Sequence, residues 1–130
     1  MIFISTGGFS KKKGTDAYQY LKKKGLKNIE FSGGKYIKNF NYSINKYKNN
    51  TQIHNYFPPP KLPFVLNLSS KNKKISSKSF NFVKRNIKLS KKLGAKFYSF
   101  HAGFRVDPNY KELGKRINKS LLISKKEATE

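Results

Sequence analysis

Short apolar runs alternate with helical segments along most of the chain, and this alternation constrains the fold more than any other feature. The predicted strands cover residues 2–5, 28–32, 51–55 and 96–101. The predicted helices between them begin at Thr15, near Ile37 and at Ser76, and glycines follow the first and third. Such alternation is typical of parallel βαβ units with right-handed crossovers, so the sequence predicts an α/β fold.

The third helix shows the clearest amphipathic pattern. Gly94 ends it. Its predicted face carries Phe80, Val83, Ile87 and Ser90, and is widened by Phe82, Leu89 and Leu93. Before it, Pro58–Pro60 interrupts any ladder because proline has no N–H to donate. The run at 64–68 is then expected to be an irregular β-type extension, and a last helix is expected to begin near Ser124.

Polar residues mark the expected carboxyl ends of several strands. Glu30, His54 and His101 each lie at or near such an end, which is the rim where parallel barrels build their active sites. This placement favours a barrel, and a doubly wound sheet remains the structural alternative. A whole barrel needs about 250 residues. We therefore predict that residues 1–130 form a single partial domain, the N-terminal half (about four βα units) of a (β/α)8 barrel truncated at its C-terminus.

The formal net charge of +23 admits two explanations. Lysine supplies 26 of the 29 basic residues, and Phe, Tyr, Met, Ile, Asn and Lys make up 69 of 130 residues. These amino acids have AT-rich codons, so a biased genome explains the charge. The alternative is a polyanionic partner such as nucleic acid, although dedicated phosphate-binding surfaces favour arginine.

The chain contains no cysteine, which excludes disulfides and thiolate metal sites and favours a cytoplasmic protein. No apolar stretch approaches the roughly 20 residues that a membrane span requires, so no membrane partner is expected.

His54 and His101 are the only histidines, and both occupy the same position on successive predicted strands. Because neighbouring strand ends of a parallel barrel converge on one mouth, the pair predicts a shared site. Imidazole either ligates a metal or shuttles protons near neutral pH. Glu30 is the third catalytic candidate, while Asn55 and Asp107 are candidate substrate contacts; each also has a plain structural explanation.

Four motifs of the chain are His-Asn-Tyr-Phe-Pro-Pro-Pro at 54–60, Phe-Val-Leu-Asn-Leu at 64–68, Leu-Gly-Ala at 93–95 and Tyr-Ser-Phe-His-Ala-Gly at 98–103. Together these motifs resemble the xylose isomerase-like TIM-barrel superfamily, in its sugar phosphate isomerase/epimerase-like branch. The resemblance covers nearly the whole chain. It implies a sugar or sugar-phosphate substrate and proton transfer beside a carbonyl.

The resemblance also implies a divalent metal (Zn, Mn, Mg or Co) whose ligands lie mostly beyond residue 130. We therefore expect these 130 residues to be inactive alone. In endonuclease IV-like members, histidines matching His54 and His101 are metal ligands, which keeps a phosphodiesterase acting on abasic DNA open as an alternative. A non-catalytic half-barrel that pairs with a partner or a second copy is the other alternative.

Overall fold

The computed structural model describes residues 2–9, 12–48, 50–113, 115, 122, 124 and 126–127. Its four strands are β1 (Ile4–Ser5), β2 (Ile29–Ser32), β3 (Thr51–His54) and β4 (Tyr98–Ser99). They form one sheet in the order β1-β2-β3-β4, and each neighbouring pair is parallel. The predicted α/β fold with parallel units is thus confirmed, and the sequential strand order is compatible with half of a (β/α)8 barrel.

The α-helices that connect or follow the strands within residues 2–113 are α1 (Gly14–Lys23), α2 (Phe40–Ser43) and α3 (Lys73–Leu93). Turns of 3₁₀ helix cover Thr6–Phe9, Ile44–Tyr47 and Tyr110–Glu112. Gly25 follows α1 with φ +81°, a conformation that a side chain would strain, as the sequence predicts for a glycine that ends a helix. Among the described residues, no helix is both long enough and apolar enough to cross a membrane.

Several predicted boundaries were wrong. Helix α1 begins before Thr15, with Lys13 at its N-cap and no capping side chain. The second helix is only one α-helical turn followed by a 3₁₀ turn. Helix α3 begins at Lys73 rather than Ser76, because Asn72 Oδ1 accepts a hydrogen bond from the Lys74 N–H at 3.0 Å and caps the earlier turn. Strand β4 ends at Ser99, so His101 lies beyond it.

The last predicted helix falls mostly outside the described residues. Lys126 and Glu127 are helical, and Ser124 and Glu127 exchange backbone-to-side-chain hydrogen bonds of 3.0 and 3.1 Å. This reciprocal pair is a capping box, the arrangement that begins a helix at a serine followed three residues later by glutamate.

The chain divides into two compact units: Met1–Lys61 with Lys84–Phe100, and Leu62–Val83 with His101–Glu130. The first unit contains the sheet, and its core is rich in aromatic rings. Phe31 of β2 lies at the centre, stacked on Phe57 at 4.4 Å and on Tyr18 of α1 at 5.3 Å between ring centroids. Fully burying a side chain of this size contributes about 1.5–3 kcal/mol.

All the buried helical residues of the first unit's core pack on the same side of the sheet. They join Ile29, Phe31 and Ile53, which alternate along β2 and β3 with less buried polar residues. The core members from helices and turns are Tyr18, Leu21, Phe40, Ile44, Tyr47, Leu89 and Leu93. One face of the sheet is therefore covered by helices, as in a singly wound structure.

The predicted face of α3 was confirmed in part and wrong in part. Its members Phe82, Val83, Leu89, Ser90 and Leu93 are buried. Phe80 and Ile87 are 60% and 53% exposed, whereas Ser79 and Asn86 are fully buried. In the second unit, Ser79 Oγ accepts a 2.9 Å hydrogen bond from a backbone N–H. In the first unit, Asn86 Nδ2 donates one of 3.2 Å to a backbone carbonyl. The Ser79 hydroxyl and the Asn86 Nδ2 group thus keep backbone partners, which lowers the cost of burying them. The Asn86 Oδ1 atom is also buried and finds no hydrogen-bond partner among the described residues, so its burial carries a cost.

Candidate functional site

The sheet face opposite the helices carries polar side chains. Parallel pairing aligns Ser32 with His54 and His54 with Ser99, and these are the last residues of β2, β3 and β4. Because paired residues of neighbouring strands point to the same face, the three side chains form a row at the carboxyl edge. We call this surface the polar face; its members are Ser5, Glu30, Ser32, Gln52, His54 and Ser99.

A hydrogen bond fixes the orientation of the only imidazole in this row. His54 Nδ1 lies 2.9 Å from Ser99 Oγ, and the two residues are also partners in the sheet. The hydroxyl donates to Nδ1 in one ring tautomer and accepts from it in the other. Either way the contact holds the ring plane of His54 at the edge of the sheet, which is how a proton-transferring histidine is positioned.

Thr6 joins the first strand to this edge. Its side chain is fully buried, and Oγ1 both accepts from the Ser32 N–H at 2.9 Å and donates to the Ser32 carbonyl at 3.1 Å. The end of β2 is thus tied to the residue that follows β1. The roles of Thr6, Ser32 and Ser99 were not predicted from the sequence. The available signal was a hydroxyl residue at or just after the end of β1, β2 and β4.

Glu30 lies on the polar face, one row nearer the amino ends of the strands. It is half-buried and pairs with Ser5 on one side and Gln52 on the other. Since strand side chains repeat every second residue, Glu30 points to the same face as Ser32. The structure therefore places Glu30 and His54 on one surface, and their catalytic roles remain predictions.

Asn55 follows His54 in a left-handed conformation (φ +44°) and is buried. Its N–H donates to the Ser99 carbonyl at 2.7 Å. Its own carbonyl accepts from Asn86 Nδ2 at 3.2 Å and from the Tyr98 hydroxyl at 3.3 Å. Burial raises the pKa of Tyr98, which keeps that hydroxyl in its donating form. These bonds hold the chain where it leaves β3, so Asn55 supports the position of His54.

His101 and Asp107 belong to the second unit. His101 is exposed, two residues past β4. Asp107 accepts from Asn67 Nδ2 at Oδ1 and from the Ser70 hydroxyl at Oδ2, both at 2.7 Å. Both oxygens of Asp107 thus stabilise the local chain, and its predicted substrate contact and the catalytic role of His101 remain predictions.

A fully buried asparagine organises this part of the second unit. Asn67 Oδ1 accepts from the Phe104 N–H and from the Ser69 hydroxyl, each at 3.0 Å. Asn67 Nδ2 also donates to the Val106 carbonyl at 3.2 Å. A Cβ on Gly103 would collide with Asn67 Oδ1, which explains the glycine in the His-Ala-Gly motif.

The residues that the structure describes do not assemble a metal site by themselves. Within the part of the chain that the structure describes, no three His, Asp or Glu side chains come together as a group that could hold a metal ion. The donors of the polar face are one imidazole, one carboxylate and neutral hydroxyl and amide groups, which fall short of the usual ligand sets of zinc.

Comparison of the chain with protein-family models, with curated proteins and with solved structures found no match.

Proposed function

We propose that this chain is the first half of a (β/α)8 barrel and that its polar face forms part of a sugar or sugar-phosphate isomerase/epimerase-like site. Three features support the barrel. The strands follow one another in sequence order, all pairs are parallel, and the buried helical residues of the first unit cover one face only. In a closed barrel the other face points inward, and its residues at the carboxyl ends of the strands border the mouth where active sites lie.

The functional part of the proposal rests on Ser32, His54 and Ser99, the last residues of β2, β3 and β4. A histidine held by a neighbouring hydroxyl is suited to remove and return a proton beside a carbonyl. His54 would transfer the proton, and Ser99 would position its ring. Ser32, Gln52 and Glu30 offer hydrogen-bonding groups suited to sugar hydroxyls on the same face.

A divalent metal belongs to this proposal only through the resemblance. It would supply Lewis acidity, and its ligands would come largely from outside the described residues. The proposed catalytic role of His101 also rests on the resemblance and on its position near a strand end. The same holds for the proposed substrate contacts of Asn55 and Asp107.

The proposal is tested with the protein expressed from its complete gene, whatever that gene encodes beyond these residues. Aldoses, ketoses and their phosphates are incubated with the protein in D₂O, and proton NMR follows deuterium uptake at the carbon beside the carbonyl. We expect exchange with at least one compound that heat-inactivated protein does not catalyse. Absence of exchange across the panel, with and without added Mn²⁺, Mg²⁺, Co²⁺ or Zn²⁺, would contradict the proposal.

The endonuclease IV-like alternative has its own support in the net charge of +23 and in His54. Its test is cleavage of a duplex that contains an abasic site, compared with the same duplex without one. Selective cleavage, with no deuterium uptake into sugars, would replace the isomerase proposal by this alternative.

A further inference from the structure

A basic groove lies in the first unit, lined by residues that do not belong to the polar face. Its volume is about 710 Å³, and its lining comes from the segments after β2 and β3 and from α3. The residues that matter here are Tyr36, Asn39, Pro58, Lys61, Arg85 and Lys92. We propose that this groove binds single-stranded nucleic acid.

Charge supports this partner. Lys61, Arg85 and Lys92 line the groove, and no carboxylate is among the described residues that line it. The first unit contains only two acidic residues, Asp16 in α1 and Glu30 on the polar face. A polyanion entering the groove therefore meets cations without a nearby competing acid, and it gains affinity by releasing its counterions.

Helix α3 extends the basic lining into a line of charges. Arg85, Lys88 and Lys92 are spaced three and four residues apart, so they follow one another along one exposed face. Each step along the helix axis is about 4.5–6 Å, comparable to the separation of successive phosphates in an extended strand. Like charges at this spacing repel each other in the free helix, and phosphates between them relieve the repulsion.

The groove also offers flat apolar surfaces. Tyr36 is 46% exposed, and the rings of Pro58–Pro60 lie in the same lining. Bases stack on aromatic side chains when they are unpaired, and a basic track beside an exposed tyrosine is the combination that binds single strands. A duplex hides these base faces, so the tyrosine favours a single strand over a duplex.

Binding is measured by fluorescence anisotropy of a dye-labelled oligothymidylate of about twelve nucleotides at about 0.1 M salt. The triple variant K61Q/K88Q/K92Q should bind about 30- to 100-fold more weakly and should lower the slope of log affinity against log salt by about 2. The matched control K22Q/K23Q/K27Q removes the same charge from exposed positions at the end of α1 and in the segment that follows it. It should weaken binding less than about threefold.

The stacking contact has a separate pair of variants. Tyr36→Ala should weaken binding about fivefold or more, while Tyr110→Ala, a comparably exposed tyrosine of the second unit, should leave it unchanged. Circular dichroism verifies that all variants remain folded.

Several results would overturn the proposal. Equal losses in the two triple variants would mean that total charge, not the groove, attracts the strand. Undetectable binding by the unmodified chain, or an unaffected Tyr36→Ala variant, would exclude the single-strand assignment. Stronger competition by anionic phospholipid vesicles than by unlabelled strand would identify a membrane surface as the partner instead.

Discussion

His54 Nδ1 lies 2.9 Å from Ser99 Oγ, so the last side chain of β3 is held by the last side chain of β4. Removal of this hydroxyl should leave the sheet intact and release the imidazole ring. We expect Ser99→Ala to lower the proposed proton exchange about three- to tenfold, the equivalent of one hydrogen bond. Ser77→Ala, at an exposed position of α3, is the control and should retain the full rate. Equal rates in Ser99→Ala and the unmodified protein would remove Ser99 from its positioning role.

Thr6 tests how the carboxyl edge of the sheet is held together. Thr6→Val keeps the shape of the side chain and removes both hydrogen bonds to the Ser32 backbone, leaving the partly buried Ser32 amide without its acceptor. We expect a loss of about 2 kcal/mol in the free energy of unfolding, measured with urea. Thr15→Val is the control, because that hydroxyl makes only a 3.4 Å contact with Asp16, and it should cost less than about 0.5 kcal/mol. Similar losses in both variants would contradict the proposed clamp.

Asn67 tests the organisation of the second unit. Asn67→Ala removes the acceptor of the Phe104 N–H and both donors to the 106–107 segment. We expect a loss of about 2–4 kcal/mol in unfolding free energy. Hydrogen exchange should accelerate at the Phe104 amide, while the amides of β2 and β3 keep their protection. Unchanged exchange at Phe104 would show that Asn67 does not hold this segment.

Glu127 provides a test that depends on pH. The hydrogen bond from Lys71, with help from Ser124, lowers the pKa of its carboxyl from 4.5 to about 2. Because the pKa is depressed in the folded chain, the stabilisation is present above about pH 4.5 and is lost as the pH falls toward 2. NMR titration of the Glu127 carboxyl should show a midpoint near 2. Lys71→Gln should raise this midpoint toward 4.5, and so should high salt, because both weaken the ion pair. Lys73→Gln is the control and should leave the midpoint unchanged. A midpoint near 4.5 in the unmodified chain would contradict the ion pair.

The sequence was sufficient to predict the parallel α/β order and the helix end at Gly25. Both follow from local rules, because apolar periodicity and a positive φ at glycine depend on few residues. The position of His54 at the end of β3 followed from the same periodicity. Its hydrogen bond to Ser99 did not, since that contact joins residues 45 apart in the chain and depends on the strand register.

The sequence was insufficient where buried polar groups decide the packing. Ser79 and Asn86 lie inside while Phe80 and Ile87 face outward, because the two polar side chains find backbone partners that no local pattern reveals. The network around Asn67 was missed for the same reason: it spans about 40 residues. His54 lies in the first compact unit and His101 in the second. Their predicted shared site therefore stays a prediction.

The central claim, proton transfer by His54 on the polar face, is tested most directly by deuterium uptake in His54→Gln, in the protein expressed from its complete gene. Glutamine keeps hydrogen-bonding capacity but cannot shuttle a proton near neutral pH. We predict at least a hundredfold slower uptake beside the substrate carbonyl, with an unchanged amide NMR spectrum outside the end of β3. An unchanged rate in His54→Gln, with exchange established for the unmodified protein, would contradict the account.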